Sequence, residues 1–205
     1  MGSAASVPSL RLAAVHDAAD PAWVDFYPEG LPEDWRLAYY AHHWRDLLIP
    51  ADQWQDFALD FAWIVDLPET LRLYFQVPPG LAAPGPACAR LAAALGARLG
   101  GLLIADPSVL PAGVVSPGRL LGQAATRPVL AGSSAATVYA NEERAVLMLE
   151  PEPDLGPAGW RGLLEAAYAC LPAVSESIVC LRAGPRELET AETLLRLTGL
   201  AWKDR

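Results

Sequence analysis

Within residues 26–76 the chain sets out two aromatic stripes at helical spacing, each followed by a short apolar run, and this rhythm constrains the fold more than any other feature. After Pro32, the residues Leu37, Tyr40, Trp44 and Leu47 recur every three or four positions. That spacing predicts a helix with one buried face, and Glu33 and Asp34 lie where negative charge meets the positive end of its dipole. Residues 47–49 predict a short buried strand stopped by Pro50. Asp52 is placed to cap a second helix in which Trp54, Phe57, Ala58, Phe61 and Val65 share a face. A strand over 71–77 follows, bounded by Pro78-Pro79-Gly80. Of the 17 aromatic residues (7 Trp, 6 Tyr, 4 Phe), 13 lie at or before Phe75, so the N-terminal third must bury large flat side chains or present them to a partner. Trp35 and Trp63 fall off both stripes, and an exposed pair of that size would mark an interface.

The remaining chain alternates. Strands are predicted at 10–15, 102–105, 129–131, 146–150 and 178–181, and helices at 87–99, 119–124, 160–171 and 187–197, with Gly100-Gly101 read as a helix stop. About seven β/α units in order imply a parallel sheet with right-handed crossovers. With 205 residues, 53% of them hydrophobic, the chain is read as one β/α domain spanning 1–205. A complete β/α barrel typically takes about 250 residues, with about 200 as the lower limit, whereas an open doubly wound sheet fits this length easily. Residues 137–150 are ambiguous, because a hairpin turning at Asn141-Glu142-Glu143 would break the parallel order.

The run FYPEGLPEDWRLAYYAHHW resembles the opening of the YecE-like family, a domain of unknown function with a TIM-barrel-like fold. The matched positions are Phe26, Tyr27, Pro28, Leu31, Pro32, Leu37, Tyr39, Tyr40 and Ala41, with weaker echoes over 91–104 and 190–200. The resemblance implies a shortened or incomplete TIM-like β/α barrel with mainly parallel strands; the alternative is the open doubly wound sheet. Where the family carries Ser-Gly-Trp, Glu-Ile-Asn and Glu-Phe-Arg-His segments, this chain has AAVHDAADP, LLIPADQW and PVLAGSS. A divergent member with a degenerate family site is therefore implied.

A net charge of −9 and a pI near 4.7 argue against a nucleic-acid surface or an anionic membrane face. No apolar run is long enough to span a bilayer, and residues 1–9 lack the pattern of an export signal. Cys88, Cys170 and Cys180 are odd in number and lie in apolar stretches, which predicts buried thiols in the cytoplasm. There is no phosphate-binding Gly-rich loop, HExxH, CxxC or nucleophile elbow. His42 and His43, adjacent on a predicted helix, point about 100° apart and cannot share a metal. Ser133-Ser134 read as a Gly-Ser loop, and Glu150, Glu152 and Asp154 as an acidic loop.

In parallel β/α folds, ligands gather at the C-terminal ends of the strands. That rule collects His16, Asp17, Asp106, Glu150 and Arg182 as catalytic candidates and Gln76 as a ligand-binding candidate; it supplies no metal site and leaves any cofactor unknown. The expected function is non-catalytic or partner-binding, with a possible homodimer formed through the aromatic third and neither nucleic acid nor membrane as partner. The competing expectation is a metal-assisted or acid–base hydrolase or isomerase acting on a small polar substrate, and passive small-ligand binding lies between the two.

Overall fold

The computed structural model describes residues 9–17, 20–58, 60–81, 84–110, 113, 116–124 and 128–199. Eight strands close into a barrel in chain order: β1 (Ser9–Val15), β2 (Asp46–Ile49), β3 (Arg72–Gln76), β4 (Leu99–Ile104), β5 (Leu120–Gln123), β6 (Ser133–Ala140), β7 (Arg144–Pro151) and β8 (Glu176–Leu181). β6 runs antiparallel to both of its neighbours, while the other adjacent pairs, β8 with β1 included, are parallel. Helices α1 (Pro21–Phe26) and α2 (Arg36–Tyr40) follow β1, α3 (Trp54–Ala58) follows β2, and α4 (Pro84–Leu95) follows β3. Only α5 (Pro157–Cys170) after β7 and α6 (Pro185–Thr198) after β8 complete the set among the described residues.

The expected architecture is therefore corrected. The sheet is closed, so it is neither an incomplete barrel nor an open doubly wound sheet. It is a mixed β-barrel carrying a few helices, with β6 running against both neighbours, and not a TIM-like α/β barrel with a helix in each crossover. The reversal at β6 has a local cause. Asn141 accepts hydrogen bonds through Oδ1 from the N–H groups of Glu143 and Arg144, at 2.9 and 2.8 Å, which folds the chain back within a few residues. The hairpin reading of 137–150 is the one that applies. Residues 119–124 hold strand β5, not a helix, and 129–131 are not a strand.

Along each strand, alternate residues face the lumen or the outer layer. Ala13, Val15, Leu48, Tyr74, Leu103, Leu121, Tyr139, Val146, Ile178 and Cys180 pack together as one buried cluster inside the barrel. Leu12, Ala14, Leu47, Ile49, Leu73, Phe75, Leu102, Leu147 and Val179 belong to the second, larger cluster beneath the helices. The lumen accepts the Tyr74 ring because β4 offers it two glycines. A Cβ on Gly100 would sit 2.5 Å from Tyr74 Cζ, and one on Gly101 would sit 2.5 Å from Leu121 Cδ1. Gly100 and Gly101 are strand residues; the helix stop belongs instead to Gly96, whose φ is +54°.

Charge closes the N-terminal mouth of the barrel. Glu176 is held by Arg11, by Arg144 and by Arg72, the last at 2.9 Å, while Arg11 also reaches Asp46 at 3.4 Å and Tyr74 Oη at 3.2 Å. Burial pushes the Asp46 carboxyl above its ordinary value, even though Arg11 and Arg72 pull it down. The seam between β1 and β2 is narrow: only Ala14 with Leu47 and Val15 with Leu48 are in register. The Tyr40 hydroxyl clasps it, donating to Asp46 O at 2.7 Å and accepting from the Ala14 N–H at 3.3 Å. Tyr40 is held in turn by the stripe the spacing predicts, since Leu37, Tyr40 and Trp44 are all buried and Trp23 stacks against Tyr40 and Trp44. The second predicted stripe ends sooner, because α3 stops at Ala58 and Val65 is exposed.

Candidate functional site

Above that seam, outside the sheet, the loops and short helices after β1 and β2 leave a cleft of about 270 Å³. Its floor is Ala14, Leu37, Tyr40 and Leu47, and its walls include Trp23, Tyr27, Phe57 and Trp63. Asp20 starts one wall by capping α1, accepting from the Ala22 N–H at 2.9 Å. Trp23 Nε1 then donates to Ala183 O at 3.1 Å, pinning α1 to the end of β8. Trp63 is fixed by Nε1 donation to Asp60 O at 2.8 Å and to Phe57 O at 3.2 Å. Its ring meets Phe57 edge-on at 5.3 Å, and Phe57 meets His16 the same way at 5.0 Å.

His16 follows the last residue of β1, and its N–H donates to Leu48 O at 2.7 Å. Gln53, in the turn after β2, grips it twice: its side-chain N–H donates to His16 O at 3.2 Å, and its Oε1 accepts a hydrogen bond from the imidazole Nδ1–H. This assignment leaves Nε2 with the lone pair. Burial lowers the His16 pKa below its ordinary value, against the opposing pull of Gln53, Asp17 and Asp56, so the ring stays neutral over more of the acid range.

Arg36 opens α2 and lies over the Tyr27 ring at 5.4 Å. Its Nε is buried without a hydrogen-bond partner. The Tyr27 hydroxyl is pushed up to about 12, chiefly by burial. Glu33, Asp34 and Asp56 line the same cleft but are solvent-exposed.

Of the residues that the strand-end rule collects, the cleft receives His16 and Asp17, and Arg182 lies 3.6 Å from Asp17. Gln76 braces the mouth of the lumen, accepting from the Ala51 N–H at 3.2 Å and donating to Tyr139 Oη at 3.0 Å. Asp106 is exposed, caps the turn Pro107–Val109 through the Ser108 N–H, and borders a separate shallow groove with Val77 and Ile104. The Glu150 side chain is also exposed, and its backbone carbonyl takes the hydroxyls of Ser133 and Ser134. His16, Asp17, Asp106 and Arg182 follow strand ends, and Gln76 and Glu150 lie within the last residues of β3 and β7, but the six divide among four places. Tyr27, Arg36 and Asp56 are additions from the connecting segments, and Trp63 is the aromatic that sat off the predicted stripe.

Among the described residues, no group of three or more His, Cys, Asp or Glu side chains is arranged to hold a metal ion. No helix among them is long and apolar enough to cross a membrane. No family model, curated protein or solved structure matches this chain.

Proposed function

We propose that the chain acts by binding a small, flat, largely apolar molecule in the cleft between β1, β2 and the first three helices. The observation that carries this reading is the lining itself: the rings of Trp23, Tyr27, Tyr40, Phe57 and Trp63 join Ala14, Leu37 and Leu47 around one space, with polar and charged groups alongside, which is the usual make-up of a small-molecule site. The test is titration with the neutral fluorophore N-phenyl-1-naphthylamine. Saturable binding of one equivalent is expected, and it should vanish in Val24→Trp, which fills the mouth from an exposed position. Unsaturable uptake, or binding untouched by Val24→Trp, would sink the reading.

An acid–base hydrolase or isomerase is the second reading, favoured by one observation: Gln53 holds the Nδ1 proton of His16, which leaves Nε2 as a base at the cleft. A panel of small esters and hydroxy acids should then show turnover that His16→Gln abolishes. Because burial depresses the His16 pKa, the acid limb of that activity would fall below the ordinary imidazole value of about 6.5.

Two further expectations belong with the proposal. A homodimer is supported by Trp35, which is 58% exposed beside the cleft, and sedimentation at micromolar concentration checks it. A cytoplasmic setting without nucleic-acid partners is supported by three free thiols and the charge of −9. The kinship with the YecE-like family rests on its motif alone, whose Tyr27, Leu37 and Tyr40 line the cleft.

A further inference from the structure

We infer that the cleft selects a ligand with a single negative charge, of the monocarboxylate class, seated on Arg36. This rests on the binding reading above and names the ligand class for that site. Arg36 is a permanent cation whose fork matches a carboxylate. Its Nε has lost water without gaining a hydrogen bond, and no carboxylate of the described chain lies within ion-pair distance of its guanidinium. Glu33 and Asp34, three and two residues earlier, are exposed to solvent instead of folding back on it. The ring of Tyr27 holds the guanidinium from one side. Arg36 lines the cleft with no carboxylate partner among the described residues, so an incoming carboxylate would supply the ion pair that folding leaves unmade.

The acidic residues at the cleft refine the choice. Asp17 is paired with Arg182, but Glu33, Asp34 and Asp56 remain as solvated charges at the rim. They repel a dianion more strongly than a monoanion, so a phosphate monoester is disfavoured relative to a carboxylate of the same body. A cationic ligand would gain only from these solvated, screened charges and would leave Arg36 Nε unmet.

Four probes with one ring system test this: 2-naphthoate, 2-naphthalenemethanol, 2-naphthylmethylamine and 2-naphthyl phosphate, each measured by displacement of N-phenyl-1-naphthylamine. In the unaltered protein, 2-naphthoate should bind roughly tenfold to hundredfold tighter than the alcohol, the span expected of a charge-assisted hydrogen bond. It should also outcompete the phosphate. Arg36→Gln should erase the preference over the alcohol, and Arg36→Lys should restore only part of it. Equal affinity for acid and alcohol, or a preference for the amine or the phosphate, overturns the inference while the binding reading stands. If none of the four displaces a fluorophore that itself binds saturably, this inference falls while the binding reading stands. Thermal melts of both variants check that the fold is intact.

Discussion

The two ends of this barrel use charge in opposite ways. At the N-terminal mouth, Arg11, Arg72 and Arg144 converge on one carboxylate, Glu176, and Asp46 joins them from the next strand. At the other end Arg36 stands beside an aromatic cleft with its Nε unmet. The first set pairs across the strands at the mouth of the lumen, although Asp46 Oδ1 is buried there without a hydrogen-bond partner. The second arises from connecting segments after β1 and β2, where nothing in the barrel depends on it. The lesson is that a half-buried cation is informative about binding only when its partners are accounted for.

The largest effect expected from this contrast is at Glu176. Glu176→Ala should cost about 2–4 kcal/mol in denaturant melts, because it strands three arginines in a partly buried layer. It should leave the affinity of the cleft probes unchanged in whatever fraction folds. A loss below about 1 kcal/mol would mean that the plug is a solvated cluster and that the two ends do not differ in kind.

Tyr40→Phe comes next, at about 1–3 kcal/mol, since it leaves both the Ala14 N–H and the Asp46 carbonyl without their bridge. Because Tyr40 also forms the cleft floor, this variant should weaken probe binding as well as the fold. Arg36→Gln should be the smallest: it forfeits only a cation–π contact of about 0.5–1 kcal/mol and relieves an unmet donor, so the net change in stability should stay within about 0.5 kcal/mol. A loss comparable with that at Glu176 would erase the distinction.

Where burial follows local spacing, the fold is legible in the sequence: Leu37, Tyr40 and Trp44 form one stripe and are buried together. It fails where the reason lies far along the chain. Gly100-Gly101 read as a helix stop, because nothing near them reveals that Tyr74 needs the space their missing side chains leave. Strand β5 is only four residues long and shows no alternation, so its pairing with β4 and β6 outweighs any local signal. The reversal at β6 was visible only as a possible turn at Asn141, whose Asx geometry decides it. The strand-end rule collects His16, Asp17 and Arg182, which lie at or beside the cleft, yet a face has no azimuth, and Asp106 and Glu150 lie elsewhere around the rim. Arg36 and Tyr27 carried no chemical motif; they matter because two connecting segments meet.

The narrow seam between β1 and β2 has a kinetic consequence. With two residue pairs in register and a single phenolic hydroxyl bridging the gap, it is, with the equally short β5–β6 seam, an interval at which this closed sheet would part by local opening, without global unfolding. The amide protons of Ala14 and His16, bound across the seam to Tyr40 Oη and Leu48 O, should exchange with deuterium sooner than those between β7 and β8, where six pairs lie in register. Since the cleft straddles that seam, an occupant would slow the opening, and protection at these two amides would report occupancy without any label on the ligand.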